Sequence, residues 1–201
     1  MKNNFVITLF ILVCLFNGCA KQEVANISAK GKNIICFGDS ITFGYGAGSG
    51  EDYPTALAKM VELPVINAGA SGDTTFEALK RLDDDVLKKY PRLVIIEFCG
   101  NDFLKKIPLE TTVRNLDKMI TRIQSSGAMV ALVDISAGMF FKEYRGAFKK
   151  LAWQKKAIFV PEVLSKIITN PATKSDFLHP NQRGYKIVAG RIYKAISGYV
   201  K

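Results

Sequence analysis

Short apolar runs alternate along this chain with longer segments whose apolar residues recur at helical spacing, and few folds accept that alternation. Residues 33–37, 64–67, 93–98, 129–135 and 158–160 are the apolar runs. Each is too short for a stable helix. Residues 53–60 carry Pro54 at a first helical turn, with Leu57 and Met60 at helical spacing. Residues 75–90 place Phe76, Leu79, Leu82, Val86 and Leu87 on one face and Asp83, Asp84 and Asp85 largely on the other. Residues 113–123 are predicted as a helix striped by Leu116, Met119 and Ile120, and residues 140–153 as another. Residues 185–200 close the pattern with Ile187, Val188, Ile192 and Ile196. Strands that are apolar along their whole length need cover on both faces, which predicts a five-stranded parallel sheet in a three-layer α/β/α domain. Ligands gather at the carboxyl ends of such sheets, so chemistry is sought in Gly38-Asp39-Ser40, Gly69-Ala70-Ser71-Gly72, Gly100-Asn101-Asp102 and Ser136-Ala137-Gly138.

The 201 residues leave room for one domain of ordinary size. Lys and Arg number 28 against 18 for Asp and Glu, a net charge of +10 that favours anionic surroundings. The basic residues fall in scattered pairs such as Lys88-Lys89 and Lys155-Lys156, without aromatic interleaving or zinc-finger spacing, so no specific nucleic-acid partner is expected. Lys2 precedes an apolar run at residues 5–16, which is shorter than the roughly 20 residues needed to span a bilayer and has the layout of a secretory signal. Leu15-Phe16-Asn17-Gly18-Cys19 is similar to a bacterial lipoprotein signal, a resemblance that implies acylation of Cys19. The expected organisation is a signal at residues 1–18, a polar linker at 19–32 and a folded domain at 33–201. An exported protein of the cell envelope or periplasm, tethered to a membrane, is the corresponding expectation. Cys36 and Cys99, the cysteines of the folded part, are read as buried small hydrophobes.

The chain has one histidine, His179, in Asp176-Phe177-Leu178-His179-Pro180. A zinc protease needs two at helical spacing, and no cysteine spacing suits zinc, so neither metal nor cofactor is expected. Gly44, Gly46, Gly48 and Gly50 fit neither G-x-G-x-x-G nor a G-K-[ST] phosphate loop, and are read as a loop. Serine catalysis needs a hydroxyl beside a neutral imidazole, a carboxylate that orients the ring and donors for the oxyanion. Ser40 is either that nucleophile or a helix N-cap. His179 is either the base or a surface-loop residue, with Asp176 three positions earlier able to hold its ring. Asp102 is a further cap position, and Asn101 a turn residue suited to left-handed backbone.

Taken together these segments resemble the SGNH, or GDSL, hydrolase family. Gly38-Asp39-Ser40-Ile41 looks like its first block, residues 67–73 its second, Gly100-Asn101-Asp102 its third and residues 176–180 its last. The nearest branch is the bacterial acyl-CoA thioesterase, lysophospholipase and arylesterase group, whose small members share this spacing and a flavodoxin-like fold. The resemblance implies Ser40 as nucleophile, His179 as general base and then acid, and Asp176 as the group orienting it. It further implies an oxyanion hole from the Ser40 and Gly72 N–H groups and the Asn101 amide, with glycine at 72 for close backbone approach. Cys99 stands where the family commonly has glycine. Thr42 replaces the last glycine of a G-x-S-x-G elbow, which excludes the α/β-hydrolase fold. The implied activity is hydrolysis of a small-molecule acyl ester, thioester or lysolipid through an acyl-enzyme. Polysaccharide deacetylation and non-catalytic lipid or glycan binding are the alternatives. Residues 103–109 and Met139, Phe140 and Phe141 are read as an apolar rim or as ordinary packing.

Overall fold

The computed structural model describes residues 23–137 and 141–200. The apolar segment at residues 5–16, Cys19, Gly138, Met139 and Phe140 lie outside the described residues. β1 (Asn33–Gly38), β2 (Val65–Gly69), β3 (Pro91–Glu97), β4 (Met129–Val133) and β5 (Ile158–Val160) form one parallel sheet in the order β2-β1-β3-β4-β5. Ile34, Ile35, Cys36 and Phe37 of β1, like Leu93, Val94, Ile95 and Ile96 of β3, are fully buried, because helices cover both sides of these central strands. β2 departs from the expected buried strand. It lies at the sheet edge, and none of its residues is fully enclosed.

The helices are α1 (Ser40–Phe43), α2 (Tyr53–Ala58), α3 (Thr75–Asp85), α4 (Gly100–Leu104), α5 (Leu109–Ser125), α6 (Lys142–Gln154) and α7 (Gln182–Ile196). α2 and α7 pack together on one side of the sheet, whereas α3, α5 and α6 form the other layer. This is the α/β architecture that the alternation predicts. Along α5, Leu116, Met119, Ile120 and Ile123 face the core at the i, i+3, i+4, i+7 spacing of one helical face.

Two helical faces differ from the sequence reading. α3 buries Thr75, Ala78 and Leu82, while Phe76 is 56 % exposed with the Lys80 ammonium 4.2 Å from its ring centre. The rotation has a polar cause: the Thr75 N–H and hydroxyl donate to the buried Asp102 carboxylate at 2.9 and 2.6 Å, which turns the Thr75 line inward. α7 buries Tyr185, Val188, Ile192 and Ile196 and leaves Ile187 outside. Residues 23–32, read from sequence as part of a linker, lie against the amino ends of the strands. There the Ala25 N–H donates to the Lys156 carbonyl at 2.8 Å and the Asn26 amide to those of Gln124 and Ala128 at 2.7 and 3.0 Å. Cys36 and Cys99 are buried free thiols.

The strand order places β1 between β2 and β3, so connections leaving the sheet diverge there and open a crevice at the carboxyl ends. Ser40 follows β1 and Asn101 follows β3. The crevice is therefore where the chemistry-bearing segments meet.

Candidate active site

Asp39, not Ser40, caps α1: its carboxylate accepts the Ile41 N–H at 3.1 Å. The Ser40 hydroxyl is thereby left for the crevice, where its Oγ lies 3.0 Å from Nε2 of His179. Gly38 makes this turn possible. A Cβ there would fall 2.0 Å from Oγ1 of Thr42 and 2.7 Å from the Glu97 carboxylate.

Nδ1 of His179 lies 2.8 and 3.0 Å from the two carboxylate oxygens of Asp176. The same carboxylate accepts the Leu178 and His179 N–H groups at 2.8 Å each, so one side chain both shapes the loop and holds the ring. Partial burial pushes the Asp176 carboxyl upward, but the Leu178 N–H, the imidazole and the His179 N–H outweigh it and hold the group below the ordinary carboxylate range. With the ring proton on Nδ1, the Nε2 lone pair faces the serine.

The glycine-rich stretch after α1 has a role that its sequence does not announce. The Tyr45 ring centre lies 4.6 Å from the imidazole, and the Tyr45 carbonyl is held by the hydroxyl of Tyr185 at 2.8 Å. Gly46 has φ +87° and approaches so closely that a Cβ would lie 2.0 Å from Oγ of Ser175. The loop backs the histidine segment. Tyr45 and Tyr185 are 140 residues apart, and no local signal joins them.

Ser40, Gly72 and Asn101 line one cleft with His179 and Asp176. Gly72 has φ +88°, but a Cβ there would meet nothing within 4 Å, so left-handed backbone rather than close approach calls for glycine. Asn101 is helical, in α4, not a left-handed turn residue; its amide donates to the Asp73 carbonyl at 2.9 Å and to the Asp39 carboxylate at 3.3 Å. Asp102 does not cap its own helix. It also accepts the Thr112 hydroxyl at 3.0 Å and so joins α3, α4 and α5. Arg81, which sequence reasoning passed over, donates to the Gly38 and Ala68 carbonyls at 3.0 and 2.8 Å and to Asp73 at 2.6 Å. It ties together the carboxyl ends of β1 and β2.

Beneath Ser40 lie two enclosed acids. Burial raises the Asp39 carboxyl, and burial followed by the neighbouring Asp39 charge raises Glu97. A carboxylate at the end of the apolar run 93–96 was the available signal for Glu97. The cleft above encloses about 690 Å³, with apolar walls from Ile135, Phe141, Leu164, Ile168, Phe177 and Leu178. Phe103 and Leu104 complete its rim, and the Phe103 and Phe141 rings meet edge-on at 4.9 Å. Among the described residues no cluster of three or more His, Cys, Asp or Glu is arranged to hold a metal.

The model of the GDSL-like Lipase/Acylhydrolase family matches residues 36–187. An arylesterase of Vibrio mimicus is 32 % identical over 173 residues, spanning 81 % of this chain and 86 % of that protein. Thioesterase 1/protease 1/lysophospholipase L1 of Escherichia coli (strain K12) is 25 % identical over 181 residues, spanning 86 % and 87 %. Among solved structures, the psychrotrophic esterase EstA from Pseudoalteromonas sp., inhibited by monoethylphosphonate, matches with a TM-score of 0.75 at 26 % identity, covering 84 % of this chain and 98 % of that one.

Proposed function

The chain belongs to the GDSL-like lipase/acylhydrolase family and is a carboxylic-ester hydrolase of the SGNH type, and from that premise we propose that it works through an acyl-enzyme on Ser40. The observation that carries the proposal is the continuous relay from Ser40 Oγ to His179 Nε2 at 3.0 Å and from His179 Nδ1 to Asp176 at 2.8 Å, opening onto an apolar cleft.

As Ser40 Oγ bonds to the acyl carbon, its proton passes to Nε2 of His179, and Asp176 stabilises the imidazolium. The carbonyl oxygen becomes an oxyanion that accepts from the Ser40 and Gly72 N–H groups and the Asn101 amide. Collapse expels the alcohol or thiol, which takes the proton from Nε2. Water then gives a proton to the same nitrogen, attacks the acyl carbon and releases the carboxylic acid and Ser40. The six apolar wall residues suit an acyl chain better than a sugar, which favours esters, thioesters or lysolipids over a polysaccharide acetyl group.

We further propose that the protein is exported, with residues 1–18 removed and an acylated Cys19 tethering it to an envelope membrane. Its support is Lys2 ahead of the apolar run at residues 5–16 and the Gly18-Cys19 pair. Among the described residues no helix is long and apolar enough to cross a membrane. The amino-terminal peptide mass from the producing cells tests it: a diacyl- or triacyl-cysteine supports the tether, and an unmodified Cys19 refutes it.

Hydrolysis of p-nitrophenyl esters from acetate to palmitate by the enzyme, Ser40→Ala and His179→Ala tests the catalytic reading. Turnover lost in both variants is the expected result; turnover unaffected by Ser40→Ala refutes it.

A further inference from the structure

The floor of the oxyanion site is acidic and enclosed. Asp39 is 2 % exposed and Glu97 1 %. Glu97 Oε2 accepts the Thr42 hydroxyl at 2.8 Å, and Thr42 in turn meets the Tyr53 hydroxyl at 3.0 Å. Its other oxygen, Oε1, is buried and has no hydrogen-bond partner among the described residues. The two carboxyls lie within hydrogen-bonding reach of one another. Two adjacent ionised carboxylates in so dry a site repel strongly, and one proton between them removes the repulsion.

We propose that Glu97 is a protonated positioning residue that donates to Asp39 and so limits the negative charge beneath the oxyanion hole. The inference rests on the roles given above to Ser40, Gly72 and Asn101. Glu97 supplies the O–H, Asp39 the acceptor, and no proton leaves the pair during turnover. Asp39 is placed to transmit its charge state to the chemistry, since it caps the helix that begins with Ser40 and accepts the Asn101 amide at 3.3 Å. With the shared proton, Asp39 holds Asn101 weakly enough for that amide to turn to the oxyanion. A second negative charge would grip Asn101 and repel the oxyanion itself.

The pair is surrounded by the carboxyls of Asp73 and Asp102, the Cys99 thiol, and the phenols of Tyr53 and Tyr185. Arg81, from α3 in the opposite layer, lies 4.5 Å from the Phe37 ring centre with one donor on the Gly38 carbonyl at 3.0 Å. Its remaining donors go to Ala68, Asp73 and Asp85, so it makes no hydrogen bond to either acid of the pair. His179 stands on the far side of Ser40. Burial of both acids, first, and their mutual charge, second, raise Glu97 far out of the ordinary carboxyl range.

The test combines kinetics with a direct view of the proton. Glu97→Ala is expected to lower kcat about tenfold or more with KM changed less than about threefold, and Glu97→Gln, which keeps a donor toward Asp39, to restore kcat at pH 7 to within about threefold of the wild type. In Glu97→Gln the alkaline fall of kcat moves to higher pH, because an amide cannot ionise. Infrared spectra of enzyme carrying ¹³C-carboxyl glutamate are expected to show a protonated carboxyl band at pH 7 that Glu97→Gln lacks. Absence of that band overturns the proposal, as does an alkaline limb identical in both proteins. The wild-type band decides the matter even if Glu97→Ala fails to fold. Persistent turnover in Ser40→Ala, by contrast, overturns the catalytic reading while leaving the protonation of Glu97 standing.

Discussion

The Asn101 amide is engaged in the resting site, donating to the Asp39 carboxylate at 3.3 Å and to the Asp73 carbonyl at 2.9 Å. The longer of the two bonds is the one that an oxyanion replaces most cheaply. Asn101→Ala is therefore expected to lower kcat by about 10²- to 10³-fold while KM changes little, since the lost donor matters chiefly in the transition state. Steady-state kinetics on one ester checks this. An equal loss carried by KM would assign Asn101 to substrate binding instead.

Gly46 offers a test of the brace behind His179. A methyl group there meets Ser175 and must adopt φ +87°, so Gly46→Ala is expected to cost about 1–2 kcal/mol of stability and to lower kcat by displacing the histidine loop. Urea unfolding and kcat measured together check it. Gly127→Ala, with a similar φ of +88° but open space around its Cβ and no place in the cleft, should lose stability without losing kcat.

What was legible in the sequence was whatever depends on short range. Ser40, Gly72 and Asn101 each follow a short apolar run, and the sheet's carboxyl edge gathers such positions automatically. Asp176 and His179 are three residues apart and meet within one turn. The supports of the site were hidden because they join distant segments: Thr42 with Glu97 across 55 positions, and Thr75 with Asp102 across 27. Phe76 misled for the same reason. Its helical face was set by the Thr75 to Asp102 bonds, a polar constraint that apolar periodicity does not register.

Asp39 gives the stability an unusual pH dependence. Burial raises its carboxyl from 3.8 in the unfolded chain to about 7 in the native state. The folded protein thus holds a proton that the unfolded chain releases, and the stabilisation is present in full below 3.8 and lost as pH rises through about 7. Asp39→Asn keeps an acceptor for the Ile41 N–H but cannot titrate. Relative to that variant, the wild type is expected to lose about 4 kcal/mol between pH 4 and pH 8 by urea unfolding. A constant difference across the range would contradict the assignment.

The apolar walls of the cleft predict a rising chain-length series. Each methylene buried against Leu164, Ile168 and Phe177 is worth about 0.8 kcal/mol, so kcat/KM should climb up to about fourfold per methylene from acetate until the cleft is filled. Ile168→Trp should move the optimum to shorter acids. A maximum at acetate in the wild type would instead favour a deacetylase.

The central claim is the covalent step on Ser40, and the most direct measurement is the mass of the enzyme caught during turnover. Enzyme mixed with p-nitrophenyl butyrate, acid-quenched in the burst phase and digested, should yield the peptide containing Ser40 with one butyryl group added, and Ser40→Ala should yield none. A full burst with the acyl group on another residue, or turnover with no acylated peptide at any quench time, would contradict the account.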